Sequence, residues 1–134
     1  MSEELARRFL RVAESARPED DPTLFATSFV YHDALGYPHD LEEAMAMRHG
    51  FLDAFPDALM TIEDSIVTDD RLFFRWHSTG THAGAFLGVA PTNKQVTNRG
   101  ITLLHVADGT VQEMWDYVDL YGLFQQMEAV PALG

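Results

Sequence analysis

The fold turns on the seventeen residues from Leu103 to Asp119, LLHVADGTVQEMWDYVD. Two runs containing β-branched and aromatic residues flank Asp108-Gly109, a pattern that predicts a β-hairpin. Side chains on a strand alternate between its faces, so the turn register decides which polar groups meet. With a three-residue loop of Ala107, Asp108 and Gly109, His105 faces Val111. One side of the ribbon then carries Leu103 and His105 with Val111, Glu113, Trp115, Tyr117 and Asp119. A two-residue loop sets His105 opposite Gln112 and apart from that set. Asp116 falls on the face opposite to Asp119 in either register unless a bulge intervenes.

Outward from the hairpin, Gln95 to Val106 and Val111 to Val118 read as its strands, and Leu120 to Met127 as a short closing helix. Upstream, Leu59 to Thr68 and Arg71 to Thr81 are two further strands joined at Thr68-Asp69-Asp70. On the second of these, Arg75, His77 and Thr79 share one face and Phe74, Trp76 and Ser78 the other. His82 to Lys94 contains Gly84, Gly88, Pro91 and Asn93 and reads as a long loop. The first 55 residues read as three helices. Ser2 caps one that ends before Pro18, Asp21-Pro22 opens one through Phe29, and Asp40 with Glu43 forms a capping box for one ending at Pro56. Helices followed by a strand meander predict a single α+β domain over 1–134. Its expected form is a cone-shaped, curved antiparallel sheet with the three N-terminal helices packed over its concave face. The mouth of such a cone is a natural ligand pocket.

The 134 residues carry 21 acidic and 9 basic side chains, a formal net charge of -12. That surface repels phosphate backbones and anionic lipid, so nucleic acid and membrane are not the expected partners. A 46% hydrophobic, 22% charged composition is that of a chain able to bury a core. With no cysteine there is neither a disulfide framework nor thiolate chemistry. No apolar run approaches the roughly 20 residues needed to cross a bilayer, and a cytoplasmic location is the default expectation. The six histidines form no H-E-x-x-H or H-x-H grouping, and no nucleophile elbow, Walker loop or dinucleotide fingerprint occurs. No metal and no cofactor are expected.

What remains is acid-base chemistry or plain binding. A His and an Asp facing an apolar pocket suit general acid-base work, with His105 and Asp119 as the candidates. Asp119 equally suits a helix cap for Leu120 to Met127, and Asp116 is its competitor. Trp115 and Tyr117 offer flat surface to an aromatic ligand or to an ordinary core. Arg75 can bind a carboxylate or enolate, or form a surface ion pair. His82, at the loop entrance, can touch ligand or hydrogen-bond backbone.

From Phe55 onward the chain resembles the SnoaL-like polyketide cyclases of the nuclear-transport-factor-2-like superfamily. The matching pieces, in order, are Phe55-Pro56-Asp57, Thr79-Gly80-Thr81-His82-Ala83-Gly84, Gly88-Val89-Ala90-Pro91-Thr92 and Asp108-Gly109-Thr110-Val111, then Trp115 to Asp119, Gly122-Leu123 and Gln125-Gln126. The resemblance implies an α+β barrel with a deep hydrophobic cavity, assembled as a homodimer or homotetramer through its outer sheet. It implies intramolecular aldol condensation of a small hydrophobic or aromatic carbonyl compound without metal or cofactor. By motif position Asp119 is the general base and acid and His105 the hydrogen-bond donor to the substrate carbonyl; Arg75, His82, Trp115 and Tyr117 are the candidate substrate contacts read from the residues themselves. Two other readings are epoxide-hydrolase-like water activation, with Arg75 or Arg99 between two acids, and a non-catalytic ligand-binding protein. The usual Pro-Pro-Thr-Gly loop reads Ala90-Pro91-Thr92-Asn93 here, and Trp76 and His77 are bulky, which implies an altered pocket.

Overall fold

The Ser2 hydroxyl accepts the Leu5 amide at 3.1 Å and starts helix α1 (Glu3–Ser15). Its apolar stripe of Leu5, Phe9, Val12 and Ala13 is buried, as the sequence spacing requires. The computed structural model describes residues 2–15 and 17–129. Two short 3₁₀ turns, Pro18–Asp20 and Pro22–Leu24, follow α1.

The second expected helix is not formed: Phe25–His32 is a strand, β1. Phe25 and Phe29 lie four apart, a spacing that fits one face of a helix and one face of a strand equally well. Thr27, Val30 and Tyr31 tip the balance toward extended backbone. The short strand β2 (Pro38–His39) pairs with β1. Helix α2 (Leu41–Ala54) then starts as expected, with the Asp40 carboxylate accepting the Glu43 amide at 2.8 Å.

Strands β3 (Leu59–Val67), β4 (Arg71–Thr81), β5 (Gln95–Ala107) and β6 (Thr110–Val118) and helix α3 (Leu120–Gln126) complete the chain close to the expected boundaries. The six strands form one curved, unclosed sheet in the order β2-β1-β6-β5-β4-β3. The fold is α+β, with two corrections. Two helices, not three, precede the meander, the third being α3 at the other end. The sheet is also not wholly antiparallel, because β1 runs parallel to β6.

The β5-β6 turn has two central residues, Asp108 and Gly109, at φ 53° and 74°, the positive values a type I′ hairpin requires. The expected three-residue loop is therefore replaced by the two-residue one. A bulge at Gln112 then shifts the register so that Val106 pairs with Val111 but His105 pairs with Glu113. Leu103, His105, Glu113, Trp115 and Tyr117 accordingly share a face, while Val111 turns inward and is fully buried.

That shared face is the outer one. The inner face of the sheet carries Leu72, Phe74 and Trp76 from β4 and Leu104 and Val106 from β5. These pack with α1, Phe25 and Phe29 into the main core. A second cluster of Ala54, Phe55, Val96, Leu123 and Met127 ties α3 to the end of α2 and to β5. Each fully buried Leu or Phe contributes roughly 1.5–3 kcal/mol. Of α2 only Ala54 is fully buried; the rest of its inner side roofs a hollow.

Candidate active site

The hollow is a cavity of about 440 Å³ between α2 and the inner face of the sheet, a volume suited to a small organic molecule. Phe29 and Tyr31 from β1, Leu41, Ala44 and Phe51 from α2, and Phe74 and Trp76 from β4 supply its apolar walls. Four polar side chains reach it from the sheet: Ser78, Asn98, Thr102 and Asp116.

Asp116 is the chemical centre of this wall. It is only 9% exposed, and both its oxygens are engaged. Tyr31 Oη donates to Oδ2 at 2.7 Å, and Thr102 Oγ1 donates to Oδ1 at 2.5 Å. Trp76 Nε1 donates to Thr102 Oγ1 at 3.0 Å. Because the indole can only donate, it occupies a lone pair of the threonine and leaves the hydroxyl hydrogen for Asp116. Burial, then the charge of Asp116 and the hydrogen bond to it, push the Tyr31 phenol far above its usual range, so Tyr31 remains a proton donor. The carboxylate is fixed in orientation, and each oxygen keeps a lone pair for a ligand.

The register explains the assembly. Trp76 stands beside Gly100 across β4-β5, and Thr102 pairs directly with Asp116 across β5-β6. The alternation that makes Phe74, Trp76 and Ser78 inward on β4 thus continues to Asn98 and Thr102 on β5 and to Met114, Asp116 and Val118 on β6.

At the cavity wall, Asp33 accepts the amides of Leu35 and Tyr37 and pairs with His39 at 2.8 Å, while the other ring nitrogen of His39 meets Glu43 at 3.1 Å. Burial opposes the ionised form of Asp33, but His39 and the two amides outweigh it and hold its carboxyl below the usual range. Asp33 and then Glu43 push the His39 imidazole up.

None of the six residues singled out in the sequence lines the cavity. Asp119 is exposed at the exit of β6 and caps α3, accepting the Gly122 amide at 2.9 Å. His105 lies on the outer face opposite Arg71 and Glu113. The expectation that the two share an apolar chamber is therefore not met, because both belong to the wrong side of the sheet. Arg75 is on that side as well, in ion pairs with Glu63 and Asp64 at 2.5 and 3.3 Å. Trp115 stacks on His32, with ring centroids 5.1 Å apart, and Tyr117 is 62% exposed. His82 is fully buried, stacks on Phe55, and is held through Nδ1 by Thr92, pinning the loop that follows β4. The arrangement of Arg75 or Arg99 between two inward acids is absent among the described residues.

Sequence reasoning named Asp116 only as a competitor and missed Tyr31, Thr102 and Asn98. One signal for the correct face was present. The outward positions of β4 and β5 carry Arg71, Arg75, Gln95 and Arg99, whereas the alternate set carries Leu72, Phe74, Trp76, Val96 and Leu104. Asp119→Ala is expected to cost about 1 kcal/mol of stability through loss of the helix cap, with turnover changed by less than about threefold; thermal melts and kinetics on the same preparation check both.

A curved open sheet roofed by helices is the cone fold of the nuclear-transport-factor-2-like class. Within that class the chain belongs to the SnoaL-like polyketide cyclase family, whose sequence profile matches residues 3–127. AclR from Streptomyces galilaeus, a candidate hydroxylase, superposes with a TM-score of 0.85 at 23% identity, over 98% of this chain and 87% of its own. IdmH from Streptomyces antibioticus, a candidate polyketide cyclase, gives 0.79 at 25% identity, over 93% and 96%. A candidate polyketide cyclase from Bacillus cereus gives 0.76 at 27%, over 95% and 80%. No curated protein matches the sequence. The family expected from the motifs is thus the family found, and membership supports a cyclase- or hydroxylase-like enzyme role. Among the described residues no helix is long and apolar enough to cross a membrane.

Proposed function

We propose that this protein closes a ring in a hydrophobic, polyketide-like carbonyl compound by intramolecular aldol chemistry, without a cofactor, and that Asp116 is its base and acid. The observation that carries this reading is the setting of Asp116: a buried carboxylate gripped by two hydroxyls and facing an apolar cavity. The other cavity-lining acid, Asp33, is taken up by its own loop and by His39.

In this mechanism Asp116 removes a C–H proton acidified by neighbouring carbonyls. The electron pair delocalises into those carbonyls, and the enolate carbon attacks a second carbonyl of the same molecule. A carbon-carbon bond forms, and the alkoxide recovers the proton from the Asp116 carboxyl. Tyr31 and Thr102 hold the carboxylate still throughout, and the cavity walls hold the chain folded on itself.

The product is an isomer of the substrate, so mass spectrometry of a reaction with a linear polycyclic ketone ester tests the reading. Unchanged mass with a new ring supports it. Gain of one oxygen indicates hydroxylation, exchange of the ester alkoxy group for hydroxyl or addition of one water indicates hydrolysis or hydration, and binding without turnover indicates a carrier; each of these three overturns it.

We also propose that the outer sheet face pairs with a second copy of the chain. Phe73, Ile101 and Tyr117 are exposed there, with Leu103 and Trp115 half-buried among them. The flanking acids are held by partners within the chain, Glu113 by His32, Glu63 by His77 and Arg75, and Asp64 by Arg75. Two copies can therefore meet there through apolar side chains, with the surrounding acids oriented by their own partners. Sedimentation equilibrium is expected to show a dimer that Phe73→Glu converts to monomer; a monomeric wild type refutes the pairing.

A further inference from the structure

The inward stripe of α2 contains a charge. Leu41, Ala44, Arg48 and Phe51 fall at i, i+3, i+7 and i+10, the spacing of one helix face, and all four line the cavity. Packing alone favours an apolar side chain at such a position. Arg48 is half-buried, and its guanidinium carbon lies 5.8 Å from the centroid of the Phe51 ring. No carboxylate among the described residues lies within 4.0 Å of it. Among those residues no other Arg, Lys or His lines the cavity.

Asp116 occupies the facing wall. Arg48 roofs the cavity from α2, whereas Asp116 reaches it from β6. Two opposite charges thus face one hollow without touching. Both are felt at the same phenol, since burial and Asp116 push the Tyr31 hydroxyl up and Arg48 pulls it down. Asp33, the other acid at the cavity, is taken up by His39 and by two amides of its own loop.

Proton transfer to Asp116 creates a charge that Tyr31 and Thr102 do not meet. When the carboxylate takes a proton from carbon, its negative charge passes to the enolate oxygen, and an apolar hollow solvates such an anion poorly. A cation already fixed on the facing wall attracts this oxygen more strongly after the transfer than before it. That difference lowers a barrier instead of merely binding substrate. The step moves charge from Asp116 toward Arg48 and leaves the total unchanged, so the cavity as a whole need not be positive.

We propose that Arg48 is the oxyanion partner of the ring closure: its guanidinium donates to the ketone oxygen of a neutral ketone ester whose acidic C–H faces Asp116. This rests on the reading of Asp116 as the base. The carbon-carbon bond then forms, the second carbonyl becomes an alkoxide that recovers the proton from Asp116, and Arg48 keeps its own protons throughout. Arginine suits the role because it stays charged while offering several donors.

The test separates charge from packing. Arg48→Met keeps an apolar stem against Phe51 and loses the charge. With the linear polycyclic ketone ester it is expected to lower kcat roughly 10- to 100-fold, the range of one charge-assisted hydrogen bond, with KM within about threefold. Arg48→Lys is expected to recover part of the loss. A binding readout needs no turnover. In Asp116→Asn the sheet wall is neutral, as it is once the base has taken its proton, and the phenolate of a methyl hydroxynaphthoate stands in for the enolate. Absorbance titration across pH is expected to show roughly 10- to 100-fold tighter phenolate binding by Asp116→Asn than by the double variant that adds Arg48→Met. The neutral phenol is expected to bind both within about threefold. Melting curves on each variant show that the fold is kept.

Equal phenolate binding by the single and double variants, including failure of both to bind, overturns the proposal, as does an Arg48→Met enzyme with wild-type kcat. Failure of the acid-base reading has a different signature, an Asp116→Asn enzyme with turnover intact. Turnover lost in Asp116→Asn with equal phenolate binding keeps Asp116 as base and removes Arg48. Phenolate preference with turnover intact supports Arg48 as the oxyanion partner of some other base.

Discussion

Asp116→Asn is expected to lower kcat by about 10²–10⁴-fold, the usual contribution of a positioned general base, while leaving the melting temperature at or above that of the wild type. The two halves of this expectation have separate causes. Asparagine is nearly isosteric, and its carbonyl oxygen still accepts from Thr102 or Tyr31, while the other hydroxyl can rotate to accept from the new amide. A buried charge is also removed, which relieves a desolvation cost. What asparagine cannot do is take up and return a proton. A kcat within about tenfold of wild type would show that the proton goes elsewhere. Asp119 is the internal control, since it caps α3 from an exposed position and does not line the cavity.

Gly100→Ala acts on the same site through packing and has the largest expected effect on stability. A Cβ at this position would lie 2.5 Å from Trp76 Cζ2 and 2.8 Å from the Tyr117 carbonyl oxygen, both far inside contact distance. The carbonyl is fixed by its ladder, because Gly100 lies between Trp76 on β4 and Val118 on β6. Trp76 must therefore swing. Overpacking of this kind costs about 1–3 kcal/mol, or roughly 4–15 °C in Tm for a chain of this size. As the indole leaves, its bond to Thr102 breaks, and the threonine is free to turn its hydroxyl away from Asp116. Activity should accordingly fall further than the unfolded fraction explains. Calorimetry gives the first quantity, and kinetics well below Tm the second. A Tm within about 2 °C of wild type would mean the indole moves aside freely.

The resemblance to the cyclase family was legible without a structure because it rests on local chemistry in a fixed order. Asp40 with Glu43, the Asp108-Gly109 turn and the glycines and prolines between His82 and Lys94 each dictate a backbone conformation by themselves. The alternation along β4 even separates Arg75 and His77 from Phe74 and Trp76 without reference to any partner. Phe25–His32 was not legible in this way, since its two phenylalanines satisfy both periods. Its place beside β6 depends on a parallel pairing between segments some eighty residues apart.

The sequence by itself determined the elements from α2 onward and the side chains sharing each strand face, except where the bulge at Gln112 turns Val111 inward. It did so because turn chemistry and a period of two act over a few residues. Which face became the inside was decided only by tertiary structure. A single phase runs through three paired strands, and it is fixed where Leu72, Phe74, Leu104 and Val106 bury against α1. That choice sends Thr102 and Asp116 into the cavity and His105, Trp115 and Tyr117 to the outer surface. It also brings Tyr31, on a strand the sequence did not reveal, within 2.7 Å of Asp116.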